Sequence, residues 1–195
     1  MNSNQMLIRS DLPALPTRMR KLPLSSQGEP VPFFCAWVDG KPALRAADPV
    51  KLAACHDRGL CVLCGEPLGQ YKAFVLGPMS AVNRISDAPP AHTECAKFAA
   101  MTSPDLALVW VTRRCTLVRA LGSDLFQIGE PEQTFWYAAG RSASRQEVMD
   151  WIQAGLPEMY EVAHRQGEVA VMELDTLVAR SARVFPKHAA FADQA

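Results

Sequence analysis

Two short ligand pairs, Cys61-x-x-Cys64 and His92-x-x-Cys95, constrain this chain more than any other feature of it. Each pair sets two soft or borderline donors at i and i+3, and together they make up the four-ligand count of a tetrahedral zinc site. Gly65 follows the first pair, and glycine takes the positive φ that a chain needs to turn beneath a metal. The second pair follows Ala88-Pro89-Pro90-Ala91 and opens the apolar run Cys95, Ala96, Phe98, Ala99, the mark of a helix start. Residues i and i+3 share a helix face, so His92 and Cys95 can converge on one point. A knuckle, an intervening hairpin and a helix that brings the last two ligands form a treble-clef-like arrangement. The 27 residues between the pairs exceed ordinary finger spacing. The alternative is that Cys61 and Cys64 are a redox pair or buried thiols, with His92 on the surface; a redox pair, however, has no need of a distant His-x-x-Cys.

Four protein ligands leave no open position for water or substrate, the pattern of structural rather than catalytic zinc. The remaining candidates are fewer. Cys55 and His56 precede Cys61 closely, but adjacent helical residues point to different faces. Cys55 reads as a core thiol and His56 as a surface residue; Cys35 and Cys115 read as isolated thiols. Nothing resembles a Ser/His/Asp set, paired carboxylates or a phosphate-cradling glycine loop.

A chain of 195 residues with 49% hydrophobic content can bury a real core. The first residues contain no apolar stretch of signal-peptide kind, and nowhere do 18 apolar residues run together, so the expectation is a soluble protein of a reducing cytoplasm with no membrane association. Twenty basic and 20 acidic residues cancel, which excludes a chain-wide field drawing the protein to nucleic acid. Basic residues are in excess toward the N-terminus and acidic ones toward the C-terminus. Arg113, Arg114 and Arg119 form the one local basic cluster, with only Trp110 nearby as an aromatic platform, so solvated strand ends are the expected role.

Three segments follow. Residues 1–32 are a Pro/Leu-rich basic arm in which Pro13, Pro16, Pro23, Pro30 and Pro32 forbid a long helix, while its leucines argue for packing on the body or on a partner. Residues 33–140 form a zinc-containing α+β body. Strands are expected over 33–38 and 41–46 around an Asp39-Gly40 turn, over 71–76, 79–85, 106–112 and 115–121 (the last two pairing), and over 125–128 and 134–137. Asp48-Pro49 caps a short helix that Gly59 ends. Phe135, Trp136 and Tyr137 read as core. Residues 141–195 are helical with a loose tail from Phe185: Ser144 to Glu147 is a capping box, Gly155 and Pro157 end that helix, a second runs over 158–165 and a third over 168–183. The fold expectation is therefore α+β, with short antiparallel strands around the zinc site and C-terminal helices.

The blocks CVLCGEPLGQYKAFVLGPMSAVNR, APPAHTECA and FWYAAGRSASRQEVMDWIQAGLP resemble a group of uncharacterised tailed-bacteriophage and prophage proteins across most of residues 13–160. Members carry a further Cys-Pro-Phe-Leu after the helix, where this chain has Ser103-Pro104-Asp105-Leu106, so no ligand role passes to that position. The resemblance implies a mobile-element setting without an attached activity. The functional expectation is a zinc-stabilised, non-enzymatic accessory protein acting by protein contact or self-association. The alternative is a nucleic-acid-binding zinc protein or a His-Asn-His-type nuclease, which needs a catalytic histidine on the hairpin; residues 72–87 contain none.

Overall fold

The computed structural model describes residues 8–120 and 123–186. Its element order is β1 (Cys35–Val38), β2 (Lys41–Ala47), α1 (Pro49–Arg58), β3 (Lys72–Leu76), α2 (Pro78–Asn83), β4 (Ile85–Ser86), α3 (Thr93–Thr102), β5 (Ala107–Thr112), β6 (Cys115–Ala120), β7 (Ser123–Ile128), β8 (Gln133–Ala138), β9 (Arg141–Ser142), α4 (Arg145–Gln166) and α5 (Glu168–Ser181). The class is α+β, with every strand pair antiparallel.

The four-stranded sheet β3-β5-β8-β9 is a wall between two cores. Side chains alternate across a strand, so Val109 and Val111 of β5 join Ala73 and Phe98 on one side, while Leu108 and Trp110 join Phe74, Trp136, Val148 and Leu174 on the other. All six β5 residues are buried. A strand covered on both faces needs an unbroken apolar run, and ALVWVT is one. The two buried indoles find acceptors: Trp110 Nε1 donates to the Gly129 carbonyl at 3.0 Å and Trp136 Nε1 to that of Val184 at 2.8 Å. Of the aromatic run, Trp136 is core, while Phe135 and Tyr137 lie half-buried on the ligand side.

Local signals place several elements where expected. Asp39 and Gly40 both have positive φ in the β1–β2 turn. The Asp48 carboxylate accepts from the Val50 and Lys51 amides, Pro49 opens α1, and Gly59 closes it in the left-handed conformation. The Ser144–Glu147 capping box starts α4.

Other expectations fail for reasons outside the local sequence. Residues 79–83 are helical in place of the strand expected over 79–85, of which only Ile85 lies in one, β4; Pro78 occupies the first turn of α2, which buries Ala81 and Val82 over the Phe74–Trp110 core. Of the strand expected over 115–121, the described part, Cys115–Ala120, does not pair with 106–112, because β3 and β8 already hold both edges of β5. The Thr112 hydroxyl accepts from the Arg114 amide and donates to the Glu130 carbonyl, turning the chain into a second sheet, β4-β7-β6. The expected turn 122–124 is partly strand, since Ser123 and Asp124 belong to β7; Gly122 lies outside the described residues. Helix α4 runs through Gly155 and Pro157 to Gln166, with Gly167 as its C-cap, merging two expected helices. A Cβ at Gly155 would meet Met79 Sδ at 2.6 Å, so this glycine is where α4 closes on α2. Pro157 and Gln153 are both exposed, so the carbonyl deprived of its helical bond can be met by water. The third helix ends at Ser181, followed by a 3₁₀ turn at Ala182–Val184. Most of the expected tail lies outside the described residues.

The arm packs on the body. Met19 is buried among the cysteines and alanines of the ligand-side core, with Leu12, Leu15 and Leu22 against it.

Candidate metal centre

The first ligand pair sits in a tight loop. The Cys61 amide donates to the Glu66 carbonyl and the Gly65 amide to the Cys61 carbonyl, both at 2.8 Å. Gly65 has φ +75°, and a Cβ there would lie 2.7 Å from the Phe33 ring. The second pair arrives through the Ala73–Ala91 bridge, where each residue's amide donates to the other's carbonyl. That bridge ties the residue before His92 to β3. His92 then stands at the N-cap of α3, and Cys95 lies in its first turn.

The four side chains converge. The Cys61, Cys64 and Cys95 sulfurs and a His92 ring nitrogen all lie within 4.8 Å of one another, and the three cysteines are buried. Among the described residues no other such group of His, Cys, Asp or Glu occurs. His92 Nδ1 faces Cys64 Sγ at 3.3 Å, while Nε2 lies 3.0 Å from the Pro67 carbonyl. A carbonyl only accepts, so Nε2 is the donor there, which leaves Nδ1 as the ring nitrogen that would offer its lone pair to a metal in the cluster.

The electrostatics favour a sulfur anion at the centre. The Cys61 thiol is pulled well below the ordinary range because the Cys95 thiol donates to it, and amides such as those of Cys64 and His92 add to this against the opposing effect of burial. The amide distances to Cys61 Sγ are 3.5 and 3.4 Å. Cys95 is raised by donating to Cys61 and by burial; Cys64 is raised chiefly by burial. Such a buried group of three sulfurs and one imidazole nitrogen could hold a metal ion.

The other candidates stand apart. Cys55 is buried, and burial raises its thiol to about 11. Cys35 is buried and Cys115 half-buried, and burial raises both. His56 is not the surface residue expected: its side chain is 12% exposed, Nδ1 lies 3.3 Å from Asp124 Oδ2, and the ring stands edge-on to Phe126. Nothing in the local sequence marks that burial, because β7 is 68 residues away from His56 at Asp124. Of the basic cluster, Arg113 stacks over Tyr71 at 4.9 Å and pairs with Glu132, Arg114 is exposed, and the side chain of Arg119 lies outside the described residues. Arg84 pairs with Glu130, which also holds Arg180.

Compared with family models, curated proteins and solved structures, the chain matches none of them.

Proposed function

We propose that the cluster holds zinc as a structural ion, and that the chain is a non-enzymatic accessory protein of tailed-phage or prophage type, working by protein contact in the bacterial cytoplasm. The observation that carries the reading is the convergence of Cys61, Cys64, His92 and Cys95 within 4.8 Å. Zn–S bonds of about 2.3 Å span a tetrahedron with edges of about 3.8 Å, so small side-chain shifts close these donors on the ion. Three thiolates with one imidazole select zinc over the oxygen-seeking cations. With all four positions taken by protein, the ion supplies folding free energy rather than an activated water. The knuckle, the Ala73–Ala91 stem and α3 read as a treble-clef-like unit whose hairpin is interrupted by α2 and β4.

Protein contact is supported by Val169 and Met172 of α5, 71% and 69% exposed, on the acidic half of the chain. Among the described residues no helix is long and apolar enough to cross a membrane. Metal analysis of the purified chain is expected to give one zinc per chain, and Cys64→Ser to lose both the zinc and the fold, since structural sites contribute about 10 kcal/mol or more. A Cys64→Ser protein of unchanged thermal stability removes zinc from the account. Affinity purification from infected or lysogenic cells is expected to retain protein partners after nuclease treatment; partners lost to nuclease favour nucleic-acid binding instead.

One observation favours the nuclease reading: the His56–Asp124 contact is a histidine–carboxylate pair of the kind a general base uses. Its Nε2, however, is enclosed and has no hydrogen-bond partner, so no scissile phosphate reaches it. DNA cleavage with added divalent metal, abolished by His56→Ala, would restore the enzyme reading.

A further inference from the structure

The ligand loop carries more than ligands. Between Cys61 and Cys64, the carbonyls of Val62 and Leu63 accept from the amides of Phe34 and Phe33, at 3.2 and 2.8 Å. Two residues after Cys64, the Glu66 carboxylate holds two cations of the arm: Arg18 Nη1 donates to Oε2 at 2.6 Å, and Lys21 donates to Oε1. Between those cations Met19 is 2% exposed, buried in the core that contains all three cysteine ligands. Phe33 and Phe34, just past the arm, thus hold the loop by its backbone, while the arm itself grips its acidic side chain and packs on the core beneath it. The Glu66 side chain is only 24% exposed, which removes part of the solvent screening that weakens surface pairs. The charges also match. Three thiolates around a divalent ion leave one negative charge, Glu66 adds a second, and Arg18 and Lys21 bring two positive charges.

We propose that the segment from Thr17 to Lys21 is a strap clamped on the metal loop through Glu66, so that strap docking and metal occupancy reinforce one another. The proposal rests on the zinc reading above. The physical link is the loop itself: residues 61–66 are closed by the Cys61 amide on the Glu66 carbonyl, so the ligands that shape the loop also place the carboxylate that the strap grips. Metal bound to Cys61 and Cys64 sets the loop in its arm-binding shape, and by linkage a docked arm raises metal affinity by the factor by which metal raises docking.

The test uses the full chain loaded with zinc. Zinc content is measured first: fewer than one ion per wild-type chain counts against the zinc reading, whereas the exchange measurement still reports on the strap. Arg18→Glu together with Lys21→Glu is expected to speed amide hydrogen exchange over residues 16–34 roughly three- to tenfold, from two partly screened ion pairs. Zinc affinity in competition with a chelator is expected to fall as well, by up to the factor by which a docked strap raises it. Adding Glu66→Lys to that double variant rebuilds both pairs with inverted charge, and is expected to restore both readouts. Unchanged exchange in the double variant overturns the clamp. Faster exchange with unaltered zinc affinity overturns the coupling. Failure of the triple variant to recover shows that the cations act through their field on the thiolates instead, and this too overturns the proposal.

Discussion

Gly65→Ala should destabilise the zinc-loaded protein by about 2–5 kcal/mol, from two separable causes. The first is conformational: φ is +75° at Gly65, and an L side chain in the left-handed region costs about 1–2 kcal/mol. The second is steric, since the new methyl would sit 2.7 Å from Phe33 Cδ2 and 2.9 Å from Phe33 Cγ. Only a change of χ1 at Phe33 moves Cγ away, which would displace the ring from its packing, and the Phe33 backbone is pinned by its amide on the Leu63 carbonyl at 2.8 Å. Overpacking of this kind costs about 1–3 kcal/mol. Gly59 is the built-in control. It has φ +60° at the end of α1, with nothing within 4 Å of an added methyl, so Gly59→Ala carries the conformational cost alone. Urea unfolding of the two variants at saturating zinc measures the difference, expected at about 1–3 kcal/mol. If Gly65→Ala costs no more than Gly59→Ala, the close approach of Phe33 to the knuckle does not hold the loop as described.

Two further outcomes concern α4. Pro157 lies exposed inside a 22-residue helix, so Pro157→Ala is expected to raise stability by about 1–3 kcal/mol in denaturant unfolding, and a loss of stability would mean that the proline bends the helix into a needed shape. Glu147 is held down at about 2, first by Arg141 and then by the Ser144 amide and hydroxyl. A depressed carboxylate stabilises the fold above its unfolded value of 4.5 and loses that contribution as pH falls toward 2, so the stability gap between wild type and Glu147→Gln should be widest above pH 4.5 and shrink through that window. A gap that does not vary with pH would show that Glu147 acts through packing and not through its charge.

The sequence by itself determined what depends on a few neighbouring residues. Asp48-Pro49 and Gly59 bound α1, Asp39-Gly40 turns the hairpin, Ser144 and Glu147 open α4, each a short-range device whose geometry is complete within a turn of chain, and two i, i+3 pairs name the four residues of the cluster that could hold a metal ion. Tertiary structure decided what depends on competition between distant segments. Cys115 to Ala120 has the composition of a partner for β5, yet β3 and β8 occupy both edges of that strand. Gly155 and Pro157 read as a stop, but Met79 packs where a side chain would have been, and Gln153 and Pro157 are exposed, so the carbonyl without its helical bond can be met by water. His56 reads as surface until β7 covers it. In each case the local preference is worth about a kilocalorie per mole or a few, and burial against a segment far away in sequence is worth as much or more, so the contact and not the propensity sets the outcome.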